Sequence, residues 1–525
     1  MDESSFGRDD FPALVADRAA ALLSLAQLIT KNSDYRDSSL RTSAWTRPLV
    51  GDIYAQASRA EELLDSYGAR RNLAWRRLRA CVAGLKVFSE VAYTLLHIRL
   101  FLPKYRLAPV VPDFGEATSE AIDFACKTVY GFALRLLEQT TLLGVPLLLP
   151  APAAHRYAEV LPAGSLSDDC DREGLHSVEE TVVYLSTAFL HAAEEGRFLR
   201  VKHDGKVGFE QLVPEPINEQ DVRRLEDTFH GLQARYDTHV ADTNLESVDP
   251  ELQALRGHIT VVYHLLETAT SLSHFYERHL SARGTIPQNA SSAQFPTPAV
   301  DSAEMLRVLV DYSIRFADIY TEQTRERCRL MLRRYSVPGS VEVPIPRYRG
   351  FHVRPTTLIA RIVRHYGADV LMKLDDEVYD AAVPIDLFRA NEKLNAQKRL
   401  RIVSDAMKLL AEEPLAEGRS NEELVRAVAR RLFEQQKLFL YDRALSLTDV
   451  SISADLPPEA CVIDCLKKLL DAGKIDLELD AMVIFEGDRR VLMDIALLAD
   501  QNYGEDDFGN NLALPPELSY LRSPR

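Results

Sequence analysis

The sequence predicts a mixed fold: a mostly α N-terminal region over 1–336, built as one or two helical bundles, then an α+β module over 341–525. Three observations predict it. Apolar residues before 336 recur at steps of three and four, as in Val15, Ala19, Leu22, Ala26 and Ile29, which is the stripe by which a helix packs. The stretch Ser336-Val337-Pro338-Gly339-Ser340 is turn-rich and marks a boundary. After it, short extended runs alternate with helical ones. A chain of 525 residues suggests about two to four domains.

The first helix opens at Pro12, where a missing N–H is harmless. A second runs from about Asn72 to Leu102, a third from about Glu116 to Leu143, and Ser177 with Glu180 forms a capping-box pattern for another. Asp204-Gly205 between Phe198–Val201 and Val207–Phe209 suits a tight hairpin turn. Asp249-Pro250 opens a long helix striped by Leu252, Leu255, Ile259, Val262, Leu266 and Ala269, and Asp301 caps the last helix, to about Tyr335. The stretch 283–299 is rich in Pro, Ser, Gln and Asn and reads as a loop, and Leu142–Ala154 with its three prolines as a packed loop. Beyond the boundary, Val341–Pro346 is extended and Arg354–Tyr366 helical. Ala368–Leu374 and Glu377–Val383 are strands about an Asp375-Asp376 turn, and Asp386 caps a helix to about Leu410. Glu413–Ser420 is a linker. Ser420 and Glu423 open a helix by a capping box, as does Pro457-Pro458 a further one. Ile475–Leu479 and Met482–Phe485 read as strands, Arg489–Ala499 as a final helix, and the tail with Glu505-Asp506-Asp507 as irregular. No internal repeat stands out.

The net charge is −16 and is spread along the chain, which argues against nucleic acid as a partner. The basic cluster Arg76-Arg77-Leu78-Arg79 reads as a solvated helix face. The start, Met-Asp-Glu-Ser-Ser, lacks the pattern of a signal peptide. No apolar run approaches the roughly 20 residues of a spanning helix, so no membrane insertion is expected. Cys81, Cys126, Cys170 and Cys328 are isolated, and Cys461 and Cys465 lie one helical turn apart. Such spacing suits neither disulfides nor zinc, and the expectation is plain thiols in a reducing, cytoplasmic setting.

Chemistry concentrates in Arg349-Gly350-Phe351-His352-Val353-Arg354-Pro355. Here a histidine stands just before a helix start, with proline in the first turn where it is best tolerated. Unpaired amides and the helix dipole favour an anion at such a place. Arg354 adds a donor fork suited to phosphate, and Gly350 permits a tight turn. Imidazole is a good nucleophile near neutral pH. A phosphoryl group on His352 would be compensated without a metal.

Gly350-Phe351-His352-Val353-Arg354-Pro355 resembles the active-site signature of the histidine-containing phosphocarrier (HPr) family of the sugar phosphotransferase system. The resemblance implies that His352 accepts phosphate from an enzyme I-like donor and that Arg354 steadies it before transfer to a recipient protein. It implies an antiparallel sheet covered by helices on one face. Residues 341–389 follow the family's order of strand, loop, helix, strand, strand, short helix. The closing strand and helix are then assigned to Met482–Phe485 and Arg489–Ala499, with 391–474 as a helical insertion. Asp386-Leu387-Phe388 stands where the family often has serine-leucine-phenylalanine. Leu387 and Phe388 are therefore candidate partner contacts. Asp386 occupies a position that is regulatory in some members, and cannot be phosphorylated by a serine kinase. Thr356 and Thr357 replace the usual small alanines, and Phe351 a leucine.

Other signals weigh less. His264 with Glu267 and His274 with Glu277 share a face-forming spacing, read as solvated or core pairs rather than a metal site or a second phosphohistidine. Trp45 and Trp75 read as core anchors, and His365 as a favourable charge near a helix end. No phosphate-binding glycine loop, dinucleotide fingerprint or nucleophile elbow appears. The expectation is a phosphoryl carrier at most, with no cofactor and no metal. It is a regulatory protein of a phosphotransferase-type relay or, alternatively, an unphosphorylated HPr-like scaffold acting through its helices.

Overall fold

The structure, a computed structural model, describes residues 10–36, 44–146, 157–159, 178–200, 208–280, 300–412, 420–441 and 456–521. The chain forms two compact units, 1–331 and 332–525. The division falls within the last helix of the first unit rather than at Ser336–Ser340.

The described part of the first unit is helical. Its helices are α1 (Asp10–Arg18), α2 (Ala20–Lys31), α3 (Arg47–Ser66), α4 (Arg76–Phe101), α5 (Phe114–Leu142), α6 (Val178–Glu195), α7 (Glu219–His239), α8 (Asn244–Val248), α9 (Pro250–Phe275), α10 (Ser302–Arg307) and α11 (Arg315–Arg334). Local chemistry sets many of the starts. Asp113, Asn218, Asp249 and Asp301 each accept from amides of the first turn, satisfying donors that have no partner in the helix. The rings of Phe124, Phe132 and Phe275 surround Phe88 at centroid distances of 5.9, 5.9 and 4.9 Å, which ties α4, α5 and α9 together.

Several expectations change here. The stripe from Val15 to Ile29 is two helices, bent by 71°. Gly196–Leu199 and Phe209–Gln211 are 3-10 turns, so those flanks of the expected hairpin are not strands. Its Asp204-Gly205 turn, Ser177, Cys170, 283–299, 147–154 and 413–419 lie outside the described residues. Trp45 is buried, but Trp75 is only half-buried, at the start of α4. His365 lies in the last turn of its helix, 6% exposed and with its ring stacked on Tyr520 at 4.2 Å. The segment Arg76–Lys104 is long and apolar enough to cross a membrane by length and composition, against the expectation; 72% of its most apolar window is buried inside the protein.

The second unit holds a four-stranded antiparallel sheet of β1 (Pro338–Pro344), β2 (Leu371–Leu374), β3 (Glu377–Asp380) and β6 (Met482–Asp488), in the order β1-β6-β2-β3. The last strand lies in the middle. Phe485 pairs with Val341 on one side and Met372 on the other. The sheet is two-faced by alternation: Val483 and Phe485 are fully buried, whereas Met482 and Ile484 are exposed. Helix α16 (Arg489–Asp500) packs on β1 and β6, and α12 (Val353–Tyr366) packs against α16.

Between β3 and β6 run α13 (Pro384–Glu412), α14 (Asn421–Glu434), β4 (Phe439–Leu440), α15 (Pro458–Asp471) and β5 (Ile475–Asp476). Ser420 and Glu423 form the expected capping box. This insertion is not purely helical, because β4 and β5 pair. Nor does it begin at 391, because α13 is continuous. Leu387, Ala390 and Leu394 are buried near its start, while Ile402, Ala406 and Leu409 join a separate core with Val425, Val428, Cys465 and Leu466. Among the described residues all cysteines are free and buried.

Replacing Phe485 by alanine removes the buried ring at the centre of the sheet and should cost about 3–5 kcal/mol. Ile484→Ala on the exposed face should cost about 1 kcal/mol or less. Hydrogen exchange of the β1, β2 and β6 amides under native conditions reads the difference.

Candidate functional site

The motif forms a tight corner before α12. Arg349 and Gly350 both adopt left-handed backbone, with φ of 54° and 62°. A Cβ at Gly350 would also lie 2.3 Å from Asn391 Oδ1, so glycine is required twice over. The conformation of Arg349 is costly for a residue with a side chain and is held from the insertion. Its amide donates to Asp476 Oδ2 at 3.3 Å and to the Tyr441 hydroxyl at 3.4 Å, and its carbonyl accepts from Asn391 Nδ2 at 3.2 Å. Its guanidinium donates to the Gly473 carbonyl at 2.7 Å, close enough that a side chain on Gly473 would collide with it. The guanidinium also lies over the rings of Tyr348 and Tyr441.

Asp476 is the hub of this grip. It is 4% exposed and accepts from Lys398 Nζ at 2.6 Å, Tyr441 Oη at 2.7 Å and the Leu477 amide at 2.8 Å, besides Arg349. Lys398 is itself 2% exposed. A buried pair of this kind is stable only when its remaining polar atoms are served.

Phe351 is fully buried and meets the edge of Tyr503. It anchors the corner, and His352 follows at the cap position of α12 in extended backbone. Its side chain does not cap the helix. Instead Nε2 faces Glu505 Oε2 at 2.8 Å, and the ring edge meets Tyr348 at 5.3 Å. The His352 side chain is 22% exposed and that of Glu505 4%. A carboxylate only accepts, so the geometry places a ring proton on Nε2, and the neutral ring then carries its lone pair on Nδ1. Among the described residues no hydrogen bond reaches Nδ1. Arg354 lies alongside, with Nε 3.9 Å from Glu505 Oε1. That N–H is buried and has no hydrogen-bond acceptor.

Glu505 is delivered by an unusual turn. Asn502, Tyr503 and Gly504 are left-handed in succession, with φ of 45°, 57° and 75°. Tyr503 donates to the Pro344 carbonyl at 2.7 Å, Asn502 Oδ1 accepts from the Arg347 amide, and the Gly504 carbonyl accepts from the Leu512 amide. Strain of this kind persists only where surrounding contacts over-determine it.

The structure thus brings His352 and Arg354 together and leaves the other expected site residues apart from them. Asp386 is the third residue of α13, not its cap, and pairs with Arg389 at 3.2 Å. Leu387 is fully buried in the module core and Phe388 half-buried. Burial removes Leu387 from the candidate partner contacts. The Thr356 hydroxyl donates to the His352 carbonyl, and that of Thr357 to the Val353 carbonyl, so both are spent on their own helix. In the first unit His264 pairs with Glu267 at 3.0 Å, but His274 turns to Glu219 rather than Glu277. Among the described residues no group of three or more His, Cys, Asp or Glu could hold a metal. Glu505, Asp476, Lys398 and Tyr441 escaped the sequence reading. Each lies far from the motif in sequence, and Glu505 sits within an acidic run that reads as irregular tail.

His352 opens onto a cleft of about 380 Å³ that is also lined by Arg349, Asn391, Asn395, Arg399 and Asp476. Asp476→Ala should destabilise the second unit by about 3–5 kcal/mol, because it strands the Lys398 ammonium. The double change Lys398→Met with Asp476→Leu should recover the share due to the stranded ammonium, while the Arg349, Tyr441 and Leu477 donors still lose their acceptor. Urea unfolding of the two variants beside the wild type checks both. In comparisons with known proteins, no family model, no curated protein and no solved structure matches this chain.

Proposed function

We propose that this chain is a phosphocarrier-related regulatory protein whose second unit is an HPr-like module, accepting a phosphoryl group on His352 from an enzyme I-like donor. The observation that carries the reading is His352 at a helix start that no side chain caps, its Nε2 on Glu505, its Nδ1 free of hydrogen bonds among the described residues, and Arg354 beside the same carboxylate. The order of elements supports it. Strand, motif loop, helix, two strands and a helix are followed, past an insertion, by a closing strand and helix, as the resemblance implies.

In the step, Nδ1 of His352 attacks the donor's phosphorus. The N–P bond to the donor histidine breaks as the new one forms. The His352 ring then carries positive charge shared with Nε2–H, and the Glu505 carboxylate compensates it. In this reading Arg354 turns from Glu505 and, with the first-turn amides, meets the transferred oxygens. Glu505 also repels them, so its placement on Nε2 rather than Nδ1 is what makes the site workable. A phosphoryl group held by these few donors is steadied without being trapped.

A second reading has a specific observation in its favour. The insertion grips Arg349 through Asp476, Tyr441 and Gly473, a rigid arrangement that suits an unphosphorylated HPr-like scaffold as well as a carrier.

Incubation with enzyme I and labelled phosphoenolpyruvate separates the two. The carrier reading expects acid-labile, base-stable label on the wild type and none on His352→Ala. Glu505→Gln loses a charge-assisted hydrogen bond worth about 1.5–3 kcal/mol, so labelling should slow on the order of 10- to 100-fold. An unlabelled wild type, with enzyme I active on its usual carrier, would leave the scaffold.

A further inference from the structure

Asp476 also lines a second cavity, of about 540 Å³, within the second unit. Its walls are the Pro344–Arg347 turn after β1, strand β4 with Tyr441, and the segment from Asp476 to Met482 that joins β5 to β6. Phe439, Met482 and Phe508 line it and remain 41%, 46% and 64% exposed. Three large apolar side chains left in water around one concavity suit a ligand with an apolar body.

The polar side of the cavity is specific. Lys398 lines it, is 2% exposed and has three N–H donors, of which one goes to Asp476. Among the described residues no other hydrogen bond is made by Lys398, so a buried ammonium has donors to spare. Asp476 has none of that need, since four donors already converge on it. The Lys398 ammonium therefore has room for a further acceptor. The cavity's charge argues against an anionic one: Lys398 is neutralised by Asp476, and Glu478, Asp480 and Asp507 outnumber Arg347 among the other lining residues.

We propose that this cavity binds an uncharged amphipathic small molecule, with a carbonyl, amide or hydroxyl accepting from Lys398 and an apolar chain or ring against Phe439, Leu479 and Phe508. Asp476 joins Lys398 to the backbone of Arg349, three residues before His352. Occupancy of the cavity thus bears directly on the histidine corner. Binding does not rest on phosphorylation of His352.

The test is titration of the full chain, labelled on its Ile, Leu and Met methyls and backbone amides, with octanamide and with octanoate, followed by NMR. Octanamide should shift the Ile345 and Met482 methyls saturably, and the Arg349 amide with them. Octanoate should bind at least about tenfold more weakly. Leu479→Trp, which fills the cavity, should abolish the shifts, and Met482→Trp at the rim serves the same purpose if the first variant does not fold. Absence of octanamide shifts at the cavity would overturn the site. So would octanoate binding as tightly as the amide, or unchanged binding in a folded cavity-filled variant. Cavity shifts without movement of the Arg349 amide would overturn the link to the histidine corner.

Discussion

A single buried carboxylate organises the second unit. Asp476 sits at the end of the insertion and takes the ammonium of α13, the hydroxyl beside β4 and the amide of the histidine corner. In a low-dielectric interior such a group is tolerated only when every lone pair is served. Its partners therefore cannot drift independently. The left-handed Arg349 and the direction of His352 follow from where Asp476 stands. A module with this motif but without the insertion would have to hold its corner by other means.

At the opposite side of the ring, Glu505 acts by electrostatics and by tautomer. A carboxylate at 2.8 Å from Nε2 fixes the ring plane and assigns the proton, as carboxylate–histidine pairs do wherever an imidazole must work from one nitrogen. Three successive left-handed residues carry the chain into this carboxylate. Its proximity to Arg354 also explains how a nearly buried acid is accommodated. The same carboxylate limits how much further negative charge the site can gather.

The insertion turns a sheet with two distinct faces into a two-lobed body. Helix α13 is common to both lobes, buried in the module by Leu387, Ala390 and Leu394 and in the insertion by Ile402, Ala406 and Leu409. The cavity and the histidine cleft both touch Asp476, so they share a wall at the point where the lobes are joined.

Local signals in the sequence were enough for the helix starts at Asp249, Asp301 and Ser420, because capping is a contact between near neighbours. The same holds for the strand pattern of Met482–Phe485 and for the motif at His352, whose glycine, histidine, arginine and proline carry their chemistry within a few residues. What the sequence could not determine is everything that depends on contact across the chain. The break of α1 from α2, the burial of Leu387, the pairing of His274 with Glu219 and the reach of Glu505 to His352 were all settled by packing. A carboxylate 153 positions away leaves no periodicity or spacing to read. Its partner is chosen only when β6 enters the middle of the sheet and α16 carries the following turn to the histidine.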